Sequence, residues 1–323
     1  MAATVERKKQ SDMLREIRDE TIPLDIKPLI KRYDEVTVDR NQLLWKWLWH
    51  VFPRFRLSSV SEDSTGNARR AKFCFSMYMT VLDDISENHR DRSTFEAGRR
   101  IPFQDGPVEA DHPDTDAELL DLLNRVWAET ERHLREAPRS ERFRELFEFD
   151  LRQSLNTMDY NRLINEGPQM ANPSGITRYD THNMLLFLYV DIDLAFSPAF
   201  EAAELGTLRD LTWEAQKLAR IGNWITTWER ELHEDDYTSK VIVEAMERGV
   251  VTREELQSET VPDEAIVQRI RDTSIEHDLL VDWNDIYGRL CTRDHGLETV
   301  DVDDFLDGMR YLLEVDVKMR GYK

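Results

Sequence analysis

Apolar residues recur at helical spacing along most of this chain, and no alternating strand pattern of useful length appears anywhere in it. Packed helices are the fold class that such a chain can reach. Glycine and proline are sparse, 12 and 11 in 323 residues, which suits long helices better than a many-turned β fold. The length allows one large domain or two ordinary ones, and no internal repeat is visible. We expect an all-α architecture of antiparallel helices around a central apolar cavity. A flexible or loosely packed segment over 1–30 should precede a single domain over 31–323.

Charge narrows the partners. A net charge of −21 argues against nucleic acid or an anionic membrane surface, since both select clustered positive charge. Cys74 and Cys291 stand in no metal-ligand spacing, and two cysteines make no disulfide framework. The start, MAATVERKKQSDMLREIRDE, lacks the apolar run of a signal peptide. No stretch approaches the roughly 20 apolar residues that span a bilayer. These features read as a soluble, cytoplasmic protein, monomeric or homodimeric.

The helical periods predict elements over 41–52, 67–88, 114–136, 140–165, 180–196, 207–234, 240–248, 263–293 and 303–319. Ile22 to Pro28 reads as extended, and Arg99 to Asp116 as a proline-containing, acidic loop. Trp45, Trp47 and Trp49 crowd the first of these helices and read as core. The second is aromatic and apolar through its middle and ends on Asp83, Asp84 and Glu87. Asp83 and Glu87 lie one turn apart on one face, with Phe75 and Met79 below them on the same side, so an acidic rim tops an apolar wall. Carboxylates at a helix C-terminus oppose the macrodipole, a cost that a bound cation offsets.

The stretch Arg220 to Glu231, RIGNWITTWERE, carries the most chemistry. Asn223, Thr227 and Glu231 stand four residues apart and share a helix face. An amide, a hydroxyl and a carboxylate in line suit a hard cation such as Mg²⁺, and the neighbouring Arg230 suits a phosphate.

Asn, Thr and Glu at this spacing resemble the second metal motif of class I terpene synthases, and DDISE at Asp83 resembles their aspartate-rich first motif in a form ending on Glu. Arg178, 45 positions before Asn223, stands close to where that family carries a diphosphate-sensing arginine. Arg310 and Tyr311 resemble the Arg and Tyr pair near the C-terminus of bacterial members. The residues after Arg178, Tyr179 to Asn183, include no glycine where the family's kinked effector turn usually has one, and Trp224 takes a place often held by an acid. His182, in that stretch, reads as a structural histidine. The resemblance runs from about Met79 to Tyr311.

It implies a class I terpene synthase α domain and the Mg²⁺-dependent ionisation of an allylic prenyl diphosphate, followed by carbocation cyclisation or rearrangement. Three Mg²⁺ ions, with Mn²⁺ as a substitute, would be held by Asp83, Asp84, Glu87, Asn223, Thr227 and Glu231. Arg178, Arg230, Arg310 and Tyr311 would donate to the diphosphate, and Phe75, Met79, Phe187 and Tyr189 would line the hydrocarbon pocket. The substrate expected first is a C20 diphosphate, geranylgeranyl or a bicyclic labdane or clerodane type, for diterpene biosynthesis. The alternatives are a sesquiterpene synthase acting on farnesyl diphosphate, a chain-elongating trans-prenyltransferase, and a non-catalytic helical binding protein of the same fold.

Overall fold

In the computed structural model, residues 12–37, 41–258 and 260–321 are described, and they form helices and turns with no strand among them. The first eleven residues of the expected loose N-terminal segment lie outside the described residues. The remainder of that segment holds a helix over 12–19 (α1), with Ile17 fully buried, and then a turn and the start of a second helix. The chain divides into two compact units. One comprises Met1–Arg152, Leu188–Ala202 and Glu298–Asp301; the other comprises Gln153–Phe187, Ala203–Leu297 and Val302–Lys323.

The first unit is built on α4 (Thr65–Glu87), a helix buried on nearly every side. That is why its sequence shows an apolar band rather than a stripe. Around it lie α2 (Lys27–Val36), α3 (Leu43–Val51), α5 (Arg92–Gly98) and α6 (Ala117–Leu134), the last packed along α4. Trp45 and Trp49 do read as core: Trp45 meets Tyr33 edge-on at 5.0 Å, and both tryptophans meet Phe73 at under 6 Å. Ile22 to Pro28 is not extended. Pro28 sits in the first turn of α2, where its missing N–H costs nothing and its fixed φ favours the helix. The expected loop from Arg99 to Asp116 holds a 3₁₀ turn over Ile101–Phe103, and the stretch before it forms α5, capped by the Asp91 side chain on the Thr94 amide.

The second unit is organised on the 29-residue α10 (Leu205–His233). It packs against α11 (Lys240–Glu247), α13 (Asp263–Arg271), α14 (Ile275–Thr292) and α15 (Val302–Lys318). A Cβ at Gly222 would come within 3.2 Å of Leu313, so glycine there admits α15 close to α10. The predicted helix over 263–293 is two helices. Asp272, Thr273 and Ser274 interrupt it, with the Thr273 hydroxyl donating to the Ile270 carbonyl and Ser274 to Asp278, so local side-chain bonds compete with the helical ladder. Thr252 and Glu255 form a capping box on α12 (Arg253–Leu256). The boundary between the units falls inside α7 (Ser140–Glu166) and α9 (Leu186–Ala195).

Candidate functional site

The predicted helix over 180–196 begins later than its apolar pattern suggests. After α8 (Pro173–Tyr179), residues Asp180–Met184 form a 3₁₀ turn, Leu185 takes φ +59°, and only then does α9 start. The kink therefore exists without glycine. A leucine in the left-handed region carries a backbone cost of about 1–2 kcal/mol, so the surroundings must hold it there. Gln216 on α10 supplies part of that hold: its Oε1 accepts from the Leu186 and Phe187 amides, at 3.0 and 3.3 Å, which are orphan donors at the start of α9.

Asp180, at the head of the same turn, is a heavily bonded carboxylate. It is fully buried and accepts from Arg220 Nε at 2.6 Å and Nη2 at 2.8 Å, from Trp224 Nε1 at 2.8 Å, and from Asn161 Nδ2 at 3.0 Å. The indole that replaces an expected acid at position 224 thus serves to fix Asp180. The third guanidinium nitrogen of Arg220 donates to Asn223 Oδ1. Burial works against the Arg220 charge, but Asp180, Glu231 and Asp236 together hold its pKa above the ordinary value.

Asn223, Thr227 and Glu231 follow one another up α10, the first half-buried and the other two buried. The Thr227 hydroxyl donates to the Asn223 carbonyl at 2.7 Å, which leaves its oxygen lone pairs available. Glu231 is 7 % exposed, and its Oε2 is buried with no hydrogen-bond partner. Burial pushes its carboxyl up to about 7, Asp236 adds to the rise, and Arg220, Arg230 and the Thr227 hydroxyl oppose it. Burial raises Asp236 as well, although Thr238 donates to it at 2.7 Å through its hydroxyl and at 3.0 Å through its amide. Three carboxylates, Asp180, Glu231 and Asp236, thus surround Arg220, with Arg230 Nη2 reaching only 3.8 Å from Glu231.

A surplus of enclosed negative charge, one orphan carboxylate oxygen, and an amide and hydroxyl in line with it fit a hard divalent cation. Among the described residues, no three His, Cys, Asp or Glu side chains converge to hold a metal by themselves. A metal at Glu231 would need donors of other kinds, and the Asn223 amide and the Thr227 hydroxyl stand in line with it on α10.

The other predicted residues are distributed as follows. In the first unit Asp83 and Glu87 are half-buried at the end of α4. Asp84 is turned into the core, 1 % exposed, accepting from Tyr33 Oη at 2.5 Å and Asn88 Nδ2 at 2.9 Å. Adjacent carboxylates point about 100° apart around a helix, and here one of them is given over to structure. Phe75 and Met79 are buried, with Phe75 meeting Phe147 at 5.4 Å and Tyr189 at 6.4 Å.

In the second unit Arg178 is exposed on the last turn of α8, outside the buried cluster that Asp180 enters two residues later. Arg230 is exposed and pairs with Glu234, and Arg310 is exposed and pairs with Asp307 at 3.0 Å and Glu314 at 3.6 Å along its own helix. Tyr311, the next residue, is half-buried. Phe187 is buried against Trp213 and His182, with the Arg209 guanidinium 4.6 Å over its ring.

Asp180, Arg220 and Asp236 were not among the residues predicted from sequence. The available signal was Arg220, which shares the Asn223 face and carries a charge into a stretch where α10 is otherwise apolar.

No protein-family model and no curated protein matches this chain. Among solved structures it is similar to the linalool/nerolidol synthase of Streptomyces clavuligerus, crystallised with 2-fluorogeranyl diphosphate. That likeness has a TM-score of 0.56 at 11% identity and covers 92% of this chain and 99% of the other. A second likeness is to the farnesyl diphosphate synthase of T. brucei, with a TM-score of 0.49 at 11% identity over 97% of each chain. The chain has the all-α fold of class I terpenoid synthases. No described helix is long and apolar enough to cross a membrane.

Proposed function

We propose that the protein is an enzyme that processes a prenyl diphosphate, and more narrowly a class I terpene synthase that ionises an allylic diphosphate and rearranges the resulting carbocation. The observation that carries this reading is the orphaned, buried Glu231 Oε2 in line with Thr227 and Asn223, within a cluster whose enclosed charge is negative. Its support is a fold shared with a solved terpene synthase.

In this reading Asn223, Thr227 and Glu231 hold Mg²⁺, and Asp83 and Glu87 do so in the first motif, with Asp84 supporting them from the core. When bound, the ion supplies the charge that a departing diphosphate requires. The protein's own contribution is orientation: Asp180 fixes Arg220, Arg220 Nη1 aims the Asn223 amide, and the Thr227 hydroxyl proton is kept on the Asn223 carbonyl. Arg230 and Arg310 exchange their present carboxylate partners for phosphate oxygens, joined by Arg178 and Tyr311. Phe75, Met79 and Phe187 offer apolar and aromatic surface, which stabilises a cation without trapping it as a nucleophile would.

The substrate proposed first is a C20 diphosphate, linear or bicyclic, with C15 farnesyl diphosphate second. The test is incubation with Mg²⁺ and geranyl, farnesyl, geranylgeranyl and bicyclic labdane or clerodane diphosphates, with organic extracts read by gas chromatography and mass spectrometry. A cyclised or rearranged product from one of them is expected. Longer linear diphosphates formed only with isopentenyl diphosphate would move the protein to chain elongation. Silence with no pyrophosphate released would leave a helical binding protein.

A further inference from the structure

Lys72 and Asp193 in the first unit form a closed pair: both are buried, the ammonium donates to Asp193 Oδ2 at 2.6 Å, and Arg56 is near enough to act on the charge of each. The second unit holds charges that are open and apart. They stand around a cavity of about 250 Å³ bounded by α8, α10, α11 and α14. At about 100° per residue, Ile221 in the cavity wall lies roughly 200° round α10 from Asn223, so this is not the face that carries the metal motif.

Two carboxylates and two cations on the cavity are unmatched. Asp282, Asp285 and Arg289 come from α14 and are exposed, and Lys240 comes from α11 and is half-buried. Among the described residues none of the four makes an ion pair, whereas Lys217, also in the wall, lies 2.6 Å from Glu214. A single exposed charge would mean little, since water serves it at small cost. Here both signs open on one concavity without meeting, while Arg248, Arg269 and Arg271 on neighbouring elements each have a carboxylate within 3 Å.

The opposite signs are also spaced for one small ligand. Asp285 and Arg289 stand four residues apart on α14, about 6 Å along its axis. A molecule with an ammonium and a carboxylate on one carbon spans that interval with a hydrogen bond of about 3 Å at either end. A simple anion would face Asp282 and Asp285, and a simple amine would face Lys240 and Arg289, so each is repelled by half of the charged groups. Ile286, half-buried beside Asp285, supplies an aliphatic surface, with Ile221 behind it.

We propose that this cavity binds a small zwitterion, an α-amino acid with an aliphatic side chain. Its carboxylate accepts from Lys240 and Arg289, its ammonium donates to Asp282 and Asp285, and its side chain lies on Ile286. The wall of the cavity also includes Trp224, whose Nε1 donates to Asp180 at 2.8 Å, so the site adjoins the framework that aims Asn223.

The experiment is calorimetric titration of the full chain, in EDTA, with L-leucine and with its two half-molecules, 4-methylpentanoate and 3-methylbutylamine. We expect leucine to bind at least tenfold tighter than either half. Arg289→Gln and Asp285→Asn, both at exposed positions and with folds checked by circular dichroism, should each weaken it at least fivefold. Hydrogen exchange on the unaltered protein supplies a second reading, with protection expected over 240–243 and 282–289 on adding leucine. Leucine that gives neither heat nor protection, a half-molecule that binds as tightly, affinity unchanged in both variants, or protection confined to other segments would overturn the site. None of these outcomes bears on the metal-dependent chemistry.

Discussion

The two units each bury a cluster of charges, and the clusters are unbalanced in opposite senses. In the second unit Asp180, Glu231 and Asp236 outnumber Arg220, and a carboxylate oxygen is among the atoms left without a partner. In the first unit Arg56 and Lys72 outnumber Asp193, and a guanidinium nitrogen is among the orphans. Desolvated charge is tolerated where it is matched, so an unmatched remainder marks where a ligand of the missing sign belongs. In the function proposed above, the second cluster takes a cation. Asp180 shows the contrast inside one cluster: its four donors satisfy it, and it acts as framework, whereas Glu231 a short way along is left open.

The comparison breaks first at catalysis. Asn223→Ala with Glu231→Ala should cut Mg²⁺-dependent pyrophosphate release at least a thousandfold, about 4 kcal/mol of barrier, with helical circular dichroism intact. An active double variant would sink the metal assignment. Asp180→Ala should destabilise the protein by about 3–5 kcal/mol in urea unfolding, because it strands Arg220 in the interior. Arg220→Met added to it should recover part of that loss, and no recovery would mean that Asp180 acts through other contacts.

The pH dependence sharpens the same contrast. The Glu231 carboxyl titrates near 7 in the folded protein against 4.5 ordinarily, so between these values the unfolded chain binds fewer protons and stability falls as pH rises. In metal-free protein, Glu231→Gln should thus stabilise by about 1–3 kcal/mol at pH 8 and by little at pH 4. An equal effect at both pH values would remove the unmatched carboxylate from the argument. The smallest expected effect is in melting temperature: Mg²⁺ with pyrophosphate should raise it by a few degrees more than either alone, since about 1 kcal/mol of linked binding shifts a chain of this size by that amount. Additive shifts would indicate independent sites.

Much of this was legible in the chain itself. The Asn223, Thr227 and Glu231 face follows from a four-residue spacing, and α4 with its acidic end follows from apolar period and composition. Lys72 within KFCFSMYM and Asp193 within LYVDIDLAF also carried a signal, since a charge inside an apolar helix requires a partner. What the spacing did not show was which partner. Nothing local singles out Leu185 for the left-handed region, because the sequence marker for that geometry is glycine and the hold on the kink comes from Gln216, thirty residues on.

By itself the sequence determined the helices, their apolar faces and the oxygen-bearing residues that share a turn, because these depend on periods of a few residues. The tertiary structure decided which carboxylates became framework and which stayed open. Asp84 went to Tyr33, fifty-one residues earlier, and Asp180 to Arg220, forty residues later, while Glu231 Oε2 received nothing. The pairing of a buried charge is set by whatever long-range packing brings within about 3 Å, and no local pattern encodes that.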